Sequence, residues 1–119
     1  MSHTLDRYFP HERLVAYQLA KAAAVFVDER RARLRKLMGG CGQQLERAVV
    51  GALTNLCAGA LAEGAERRRH FKIALSEAGE AGGAAELAFT LGGLSAVEHN
   101  ELRATLLRLC ACLYGLTRA

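Results

Sequence analysis

The sequence predicts an all-α fold, an antiparallel up-and-down bundle of four helices in one domain over residues 1–119, and three observations predict it. Helix formers dominate, since Ala (22) and Leu (19) far outnumber Val (6), Ile (1) and Thr (5), which disfavours sheet-building folds. Apolar residues recur at three- and four-residue steps through long segments, as in helices with one buried face. Glycines separate those segments, and a chain that is 51% hydrophobic and 24% charged has enough apolar side chain to fill a core.

Pro10 suits a first helical turn, where its missing N–H has no intrahelical acceptor to lose, so the first helix is placed at about 10–37. Within it Leu14, Tyr17, Ala20, Ala24 and Val27 form one apolar row, and Val15, Leu19, Ala22 and Phe26 form a second beside it. The pattern does not decide whether this helix runs unbroken through Asp28. Gly39-Gly40-Cys41-Gly42 ends it. The second helix, about 43–62, carries the clearest stripe, formed by Leu45, Ala48, Val49, Ala52, Leu53, Leu56, Cys57 and Ala60.

After a turn at Gly64 the third helix, about 67–91, repeats the pattern with Phe71, Ala74, Leu75, Ala78, Ala81, Gly82, Ala85, Ala88 and Phe89. Its centre, Ala78 to Ala85, is built of small residues, and each interior glycine costs up to about 1 kcal/mol relative to alanine. Close approach of another helix backbone, from the same subunit or a neighbour, is the expected compensation. Ser95-Ala-Val-Glu98 reads as a capping box that opens the fourth helix, about 96–117. There Leu102, Leu106, Leu109, Leu113 and Leu116 alternate steps of four and three, as in a bundle seam.

Motifs for chemistry are missing, and no catalytic residue is assigned. Gly39-Gly40-Cys41-Gly42 lacks the lysine and the preceding strand of a phosphate loop, and no zincin motif occurs. His3, His11, His70 and His99 fall near helix ends or the terminus, none four residues from another, and are expected to be solvated. Arg67-x-x-His70 does not have the Arg-to-His spacing of small helical ribonucleases. Glu77 with Glu80, and Glu98 with Glu101, are carboxylate pairs three residues apart, but no Glu-x-x-His motif accompanies them to build a di-metal bundle. Cys57 is expected in the core. Cys110 and Cys112, two apart on a helix, point about 200° from each other and cannot grip one ion. No metal and no other cofactor is expected.

The longest uncharged stretch, Ala48 to Ala62, has fifteen residues, short of the roughly 18–20 needed to span a bilayer. The opening Met1-Ser-His-Thr-Leu-Asp-Arg-Tyr8 includes an acid and no apolar run, so a cytoplasmic location with reduced thiols and no membrane is expected.

Charge is the remaining signal. Residues 1–72 hold thirteen Lys/Arg and seven Asp/Glu, a balance of +6, whereas residues 73–119 hold three and five, a balance of −2. Two clusters account for the excess: Arg30, Arg31, Arg33, Arg35 and Lys36, and then Arg67, Arg68, Arg69 and Lys72. Thirteen of the sixteen cations are Arg, whose fork of donors matches phosphate oxygens, which makes nucleic acid the natural anionic partner. The opposing reading is that the first cluster spreads around its helix as a solvated helix end would. None of the aromatics forms an exposed stacking platform of the kind single-strand RNA binders use.

One resemblance runs along almost the whole chain. Glu12-Arg13-Leu14-x-x-Tyr17, Gln44-Leu45-Glu46-Arg47-Ala48-Val49-Val50, Asn55-Leu56-Cys57-Ala58-Gly59, Phe71 to Ala78, Leu91-Gly92-Gly93-Leu94-Ser95 and Leu113-Tyr114-Gly115-Leu116 together resemble the four-helix-bundle proteins encoded in bacterial 23S ribosomal RNA intervening sequences. Order and spacing carry the likeness more than any single motif. The chain departs from that pattern at Ala58, where an acid is usual, at Leu53, where proline is common, and in a segment between Gly59 and Phe71 about three residues longer. The resemblance implies a four-helix bundle, no known catalytic residues and assembly into a homopentamer. A cousin, the accessory variability protein of diversity-generating retroelements, is a nucleic-acid-binding barrel that works with a reverse transcriptase.

Two apolar rows on the first helix and the small belt of the third offer more packing surface than one small bundle hides, which also favours oligomerisation. Five copies of a +4 chain would carry +20. The sequence therefore leads to a non-enzymatic homo-oligomer that binds structured RNA or DNA through the two arginine clusters; the alternative is a protein-interaction scaffold without a nucleic-acid role.

Overall fold

The computed structural model describes residues 8–119. His3 and the stretch Met1–Arg7, read above as lacking a secretory signal, lie outside the described residues. Among those described, the chain is all-helical and has no strands. A 3₁₀ turn at Pro10–Arg13 precedes five α-helices: α1 Val15–Glu29, α2 Arg31–Met38, α3 Gly40–Leu61, α4 Gly64–Thr90 and α5 Ala96–Arg118.

The expected first helix is thus three pieces. Leu14, extended at φ −89° and ψ 133°, separates the Pro10 turn from α1. A second interruption falls at Arg30, with φ −110° and ψ 7°. Its amide bonds the Val27 carbonyl at 3.1 Å, which leaves the Phe26 carbonyl without its usual helical donor. The Arg30 guanidinium fills that role at 2.9 Å while lying 3.6 Å over the Phe26 ring. Neither proline nor glycine marks this break, which is why the sequence pattern left continuity through Asp28 undecided; the structure interrupts the helix just after it.

Gly39, at φ 55°, takes the left-handed conformation that reverses the chain between α2 and α3. The turn stops there. Gly40, Cys41 and Gly42 already belong to α3, which starts three residues earlier than the expected 43. At Gly42 a Cβ would stand 2.8 Å from the Leu34 carbonyl oxygen, so the missing side chain is what lets the backbones of α2 and α3 meet.

Each long helix packs on two others. α3 lies against α1 and α4, and α5 lies against the same two, so α1 and α4 occupy opposite corners. The stripes meet in a common core: Leu19 and Val27 of α1, Leu45, Val49 and Leu56 of α3, Phe71 of α4, and Leu102, Leu106, Leu109 and Leu113 of α5. Burying each of these side chains contributes about 1.5–3 kcal/mol. Apart from Phe71, the buried positions of α4 are all alanine, namely Ala74, Ala78, Ala81, Ala85 and Ala88, which keeps this helix close to its neighbours. The Phe71 ring fits because Gly59 of α3 has no Cβ; one added there would stand 2.7 Å from the ring.

Some expected core positions sit at the edge. Cys57 is half-buried, and Phe89 is 40% exposed. His99, expected in solvent, is buried, with its ring stacked on Phe89 at 4.8 Å and 6° between planes. His11 is half-buried between Phe9 and Tyr17, and His70 is half-buried beside Asn55. Of the second row on α1 only Leu19 is buried; Val15 and Ala22 face outward and Phe26 is half-covered. Among the described residues no helix is long and apolar enough to cross a membrane.

Candidate nucleic-acid interface

The first basic cluster is organised by a carboxylate more than sixty residues away. At the start of α5 the Glu98 amide donates to Ser95 Oγ at 3.1 Å, and the Ser95 amide donates to Glu98 Oε1 at 2.9 Å, completing the expected capping box. Glu98 Oε2 then accepts from Arg30 Nε at 2.8 Å and Arg33 Nη2 at 2.6 Å. The Ser95 amide, aided by the two guanidinium groups, holds the Glu98 carboxyl well below its ordinary 4.5, at about 2. Arg35 Nε donates to Glu46 Oε2 at 3.0 Å, and Arg31 pairs loosely with Asp28 at 3.5 Å. Of this cluster only Lys36 is exposed with no acidic partner within 4 Å among the described residues.

The second cluster is divided in the same way. Arg67 reaches back to the Gly59 and Ala60 carbonyls at 3.3 Å each, closing the C-terminal end of α3, and its guanidinium lies 4.7 Å over the Phe71 ring. Arg69 grips Glu66 with two hydrogen bonds at 3.0 and 3.2 Å, which lowers the Glu66 pKa. Arg68 and Lys72, one turn apart on α4, are exposed and have no acid within 4 Å among the described residues.

The fold holds the two clusters apart. Arg35 is tied to the N-terminal end of α3 through Glu46, and Arg67 to its C-terminal end. A helix of 22 residues is about 33 Å long at 1.5 Å per residue. The nine basic residues therefore form two ends of one rod, 48 Å in its longest dimension. Arg47, absent from the sequence-level candidates, joins the first end, where it lines a groove of about 450 Å³ with Arg35, Gln43, Glu46, Val50 and Gly51. Its isolation between apolar positions of the α3 stripe hid it in the sequence.

On α4 the neighbouring Glu80 carboxyl, with burial, raises the Glu77 pKa, and Glu77 lies against the bare backbone of Gly51 of α3. Among the described residues no three His, Cys, Asp or Glu side chains converge on a metal-sized site.

This fold has been seen before. A protein of unknown function from the S23 ribosomal protein family of Bacteroides thetaiotaomicron has a crystal structure similar to this chain, with a TM-score of 0.81. The match covers 88% of this chain and 100% of that one, at 17% sequence identity. At that identity the likeness is one of fold. No family model matches the chain, and no curated protein is significantly similar to it.

Proposed function

We propose that the chain is a non-enzymatic, cytoplasmic four-helix bundle of the 23S ribosomal RNA intervening-sequence type, that it assembles as a homo-oligomer, pentameric by that resemblance, and that it binds structured RNA or DNA. The observation that carries the nucleic-acid reading is the pair Arg68 and Lys72. Two cations one turn apart stand exposed, with no acid within 4 Å among the described residues, near the N-terminus of a 27-residue helix, whose dipole adds to their attraction for phosphate. Lys36 and Arg47 are exposed toward the opposite end, with no acid within 4 Å among the described residues.

Arg30, Arg33, Arg35, Arg67 and Arg69 take a structural part in this reading, because each already has an acid or carbonyl partner. Arg31, loosely paired and exposed, is free to exchange Asp28 for a phosphate. A ring of side-by-side bundles repeats each end around a rim, so a few cations per subunit become a circle facing one polyanion.

The test is a gel-shift titration with a structured RNA and a DNA hairpin at several salt concentrations. Changing both Arg68 and Lys72 to Glu is expected to weaken binding at least tenfold and to flatten its salt dependence. Affinity that ignores salt, or that survives both substitutions, overturns the reading.

A further inference from the structure

The seam between α4 and α5 leads to the end of the rod that carries Arg68 and Lys72. Near one end of the pair Phe89 of α4 stacks on His99 of α5, and further along Gly79, Gly82 and Glu86 share a groove of about 170 Å³ with Arg103, Leu107 and Cys110. The two helices are therefore antiparallel, and the residues that flank the groove recur at steps of three and four. On α4 the flank continues from Gly79 through Leu75 and Lys72 to Arg68, and on α5 from Cys110 through Tyr114 to Arg118. Lys72 lies seven residues before Gly79, while Tyr114 and Arg118 lie four and eight after Cys110. Lys72 thus comes level with the interval between Tyr114 and Arg118, and Arg68 stands one turn beyond.

The sequence pattern predicts no exposed aromatic platform, yet Tyr114 is 54% exposed. Arg118 steadies its ring: Nη1 donates to the Tyr114 hydroxyl at 3.3 Å, and the guanidinium carbon lies 5.4 Å from the ring centroid. Arg68, Lys72 and Arg118 are all exposed, and none has an acid within 4 Å among the described residues. Beyond Gly79 and Cys110 neither flank contains an acid as far as this end. An accessible aromatic ring among cations suits a nucleotide that is free of its complement, because the base can lie on the ring while the backbone phosphates meet the cations. A base inside a duplex is already stacked on both faces and offers nothing to such a ring. We propose that Tyr114 stacks an unpaired base of the bound nucleic acid, from a loop or a bulge, with Lys72, Arg68 and Arg118 on the neighbouring phosphates. This inference rests on the nucleic-acid reading above and says which form of nucleic acid that end of the molecule takes.

The experiment is a fluorescence-anisotropy titration of the full chain with two RNA hairpins that differ only in a bulge of unpaired uridines. The wild-type chain is expected to bind the bulged hairpin about tenfold more tightly than the fully paired one. Tyr114→Ala is expected to abolish that preference and leave affinity for the paired hairpin unchanged, Tyr114→Phe to retain it, and Arg68→Glu with Lys72→Glu to weaken binding of both hairpins. A wild-type chain that binds neither hairpin overturns the nucleic-acid reading and this one with it. Equal affinity for the two hairpins, or a preference that survives Tyr114→Ala, overturns this inference alone. So does a Tyr114→Ala variant that loses both hairpins together or changes its mass in light scattering, because the ring then serves the fold or the assembly.

Discussion

Two sets of glycines interrupt the helices, and they answer to different demands. Gly42 and Gly59 sit where another part of the same chain presses in: the Leu34 carbonyl 2.8 Å from one built Cβ, the Phe71 ring 2.7 Å from the other. Gly79, Gly82 and Gly83, in the centre of α4, look onto open space. The sequence shows both sets as the same feature, a helical stretch with more glycine than helix propensity favours. The close approach expected for α4 is therefore not supplied by its own subunit, and the intrachain compensation occurs on α3 instead.

The largest effect should come from the first set. Gly59→Ala forces the fully buried Phe71 ring or the Arg67 segment to move, and a loss of about 2–3 kcal/mol in chemical denaturation is expected. A loss below about 0.5 kcal/mol would mean that the α3–α4 contact is looser than its geometry implies.

Next is the carboxylate that joins the α1–α2 break to the start of α5. Glu98→Gln keeps the shape but removes the charge that Arg30 and Arg33 share, and should cost about 1–2 kcal/mol at neutral pH, the solvent-facing side of the site reducing the figure. The sign with pH follows from the depressed pKa. The folded carboxyl titrates at about 2 and the unfolded one near 4.5, so its stabilisation is complete above the unfolded value and is lost as pH falls from about 4.5 through 2. Denaturation of both proteins between pH 6 and 2 should show the difference between them shrinking over that window; a constant difference would assign the effect to the capping box alone.

Arg67→Ala should be milder, about 1 kcal/mol, because it leaves the Gly59 and Ala60 carbonyls at a helix end that water can reach. It should leave RNA affinity unchanged, in contrast to changes at Arg68, its immediate neighbour in the sequence.

That contrast shows how far the residues alone could lead. The α3 stripe at Leu45, Ala48, Val49, Ala52 and Leu56 and the α5 stripe at Leu102, Leu106, Leu109 and Leu113 lie in the core as their spacing requires, because a 3.6-residue period is a local property. The Ser95–Glu98 box was readable for the same reason. The arginines were not. Arg30 and Glu98 are 68 residues apart, and only the packing of α1 on α5 makes them partners. Arg67, Arg68 and Arg69 look alike in the chain, yet one closes a helix, one has no acid beside it among the described residues and one holds Glu66. His99 was misread because its cover, Phe89, comes from the preceding helix.

The smallest expected effect has the opposite sign and returns to the second set of glycines. Gly79→Ala introduces a methyl group that meets nothing within the chain, while it removes backbone freedom from the unfolded state, so a gain of about 0.5–1 kcal/mol is expected. The gain should be measured at several protein concentrations. If α4 is bare in solution, alanine stabilises the protein equally at every concentration. If a neighbouring copy lies against it, the gain seen at high dilution should diminish or reverse as the concentration rises, because the added methyl then meets a surface from another subunit. A loss of stability even at high dilution would show that α4 packs within its own chain more tightly than its open glycine face allows.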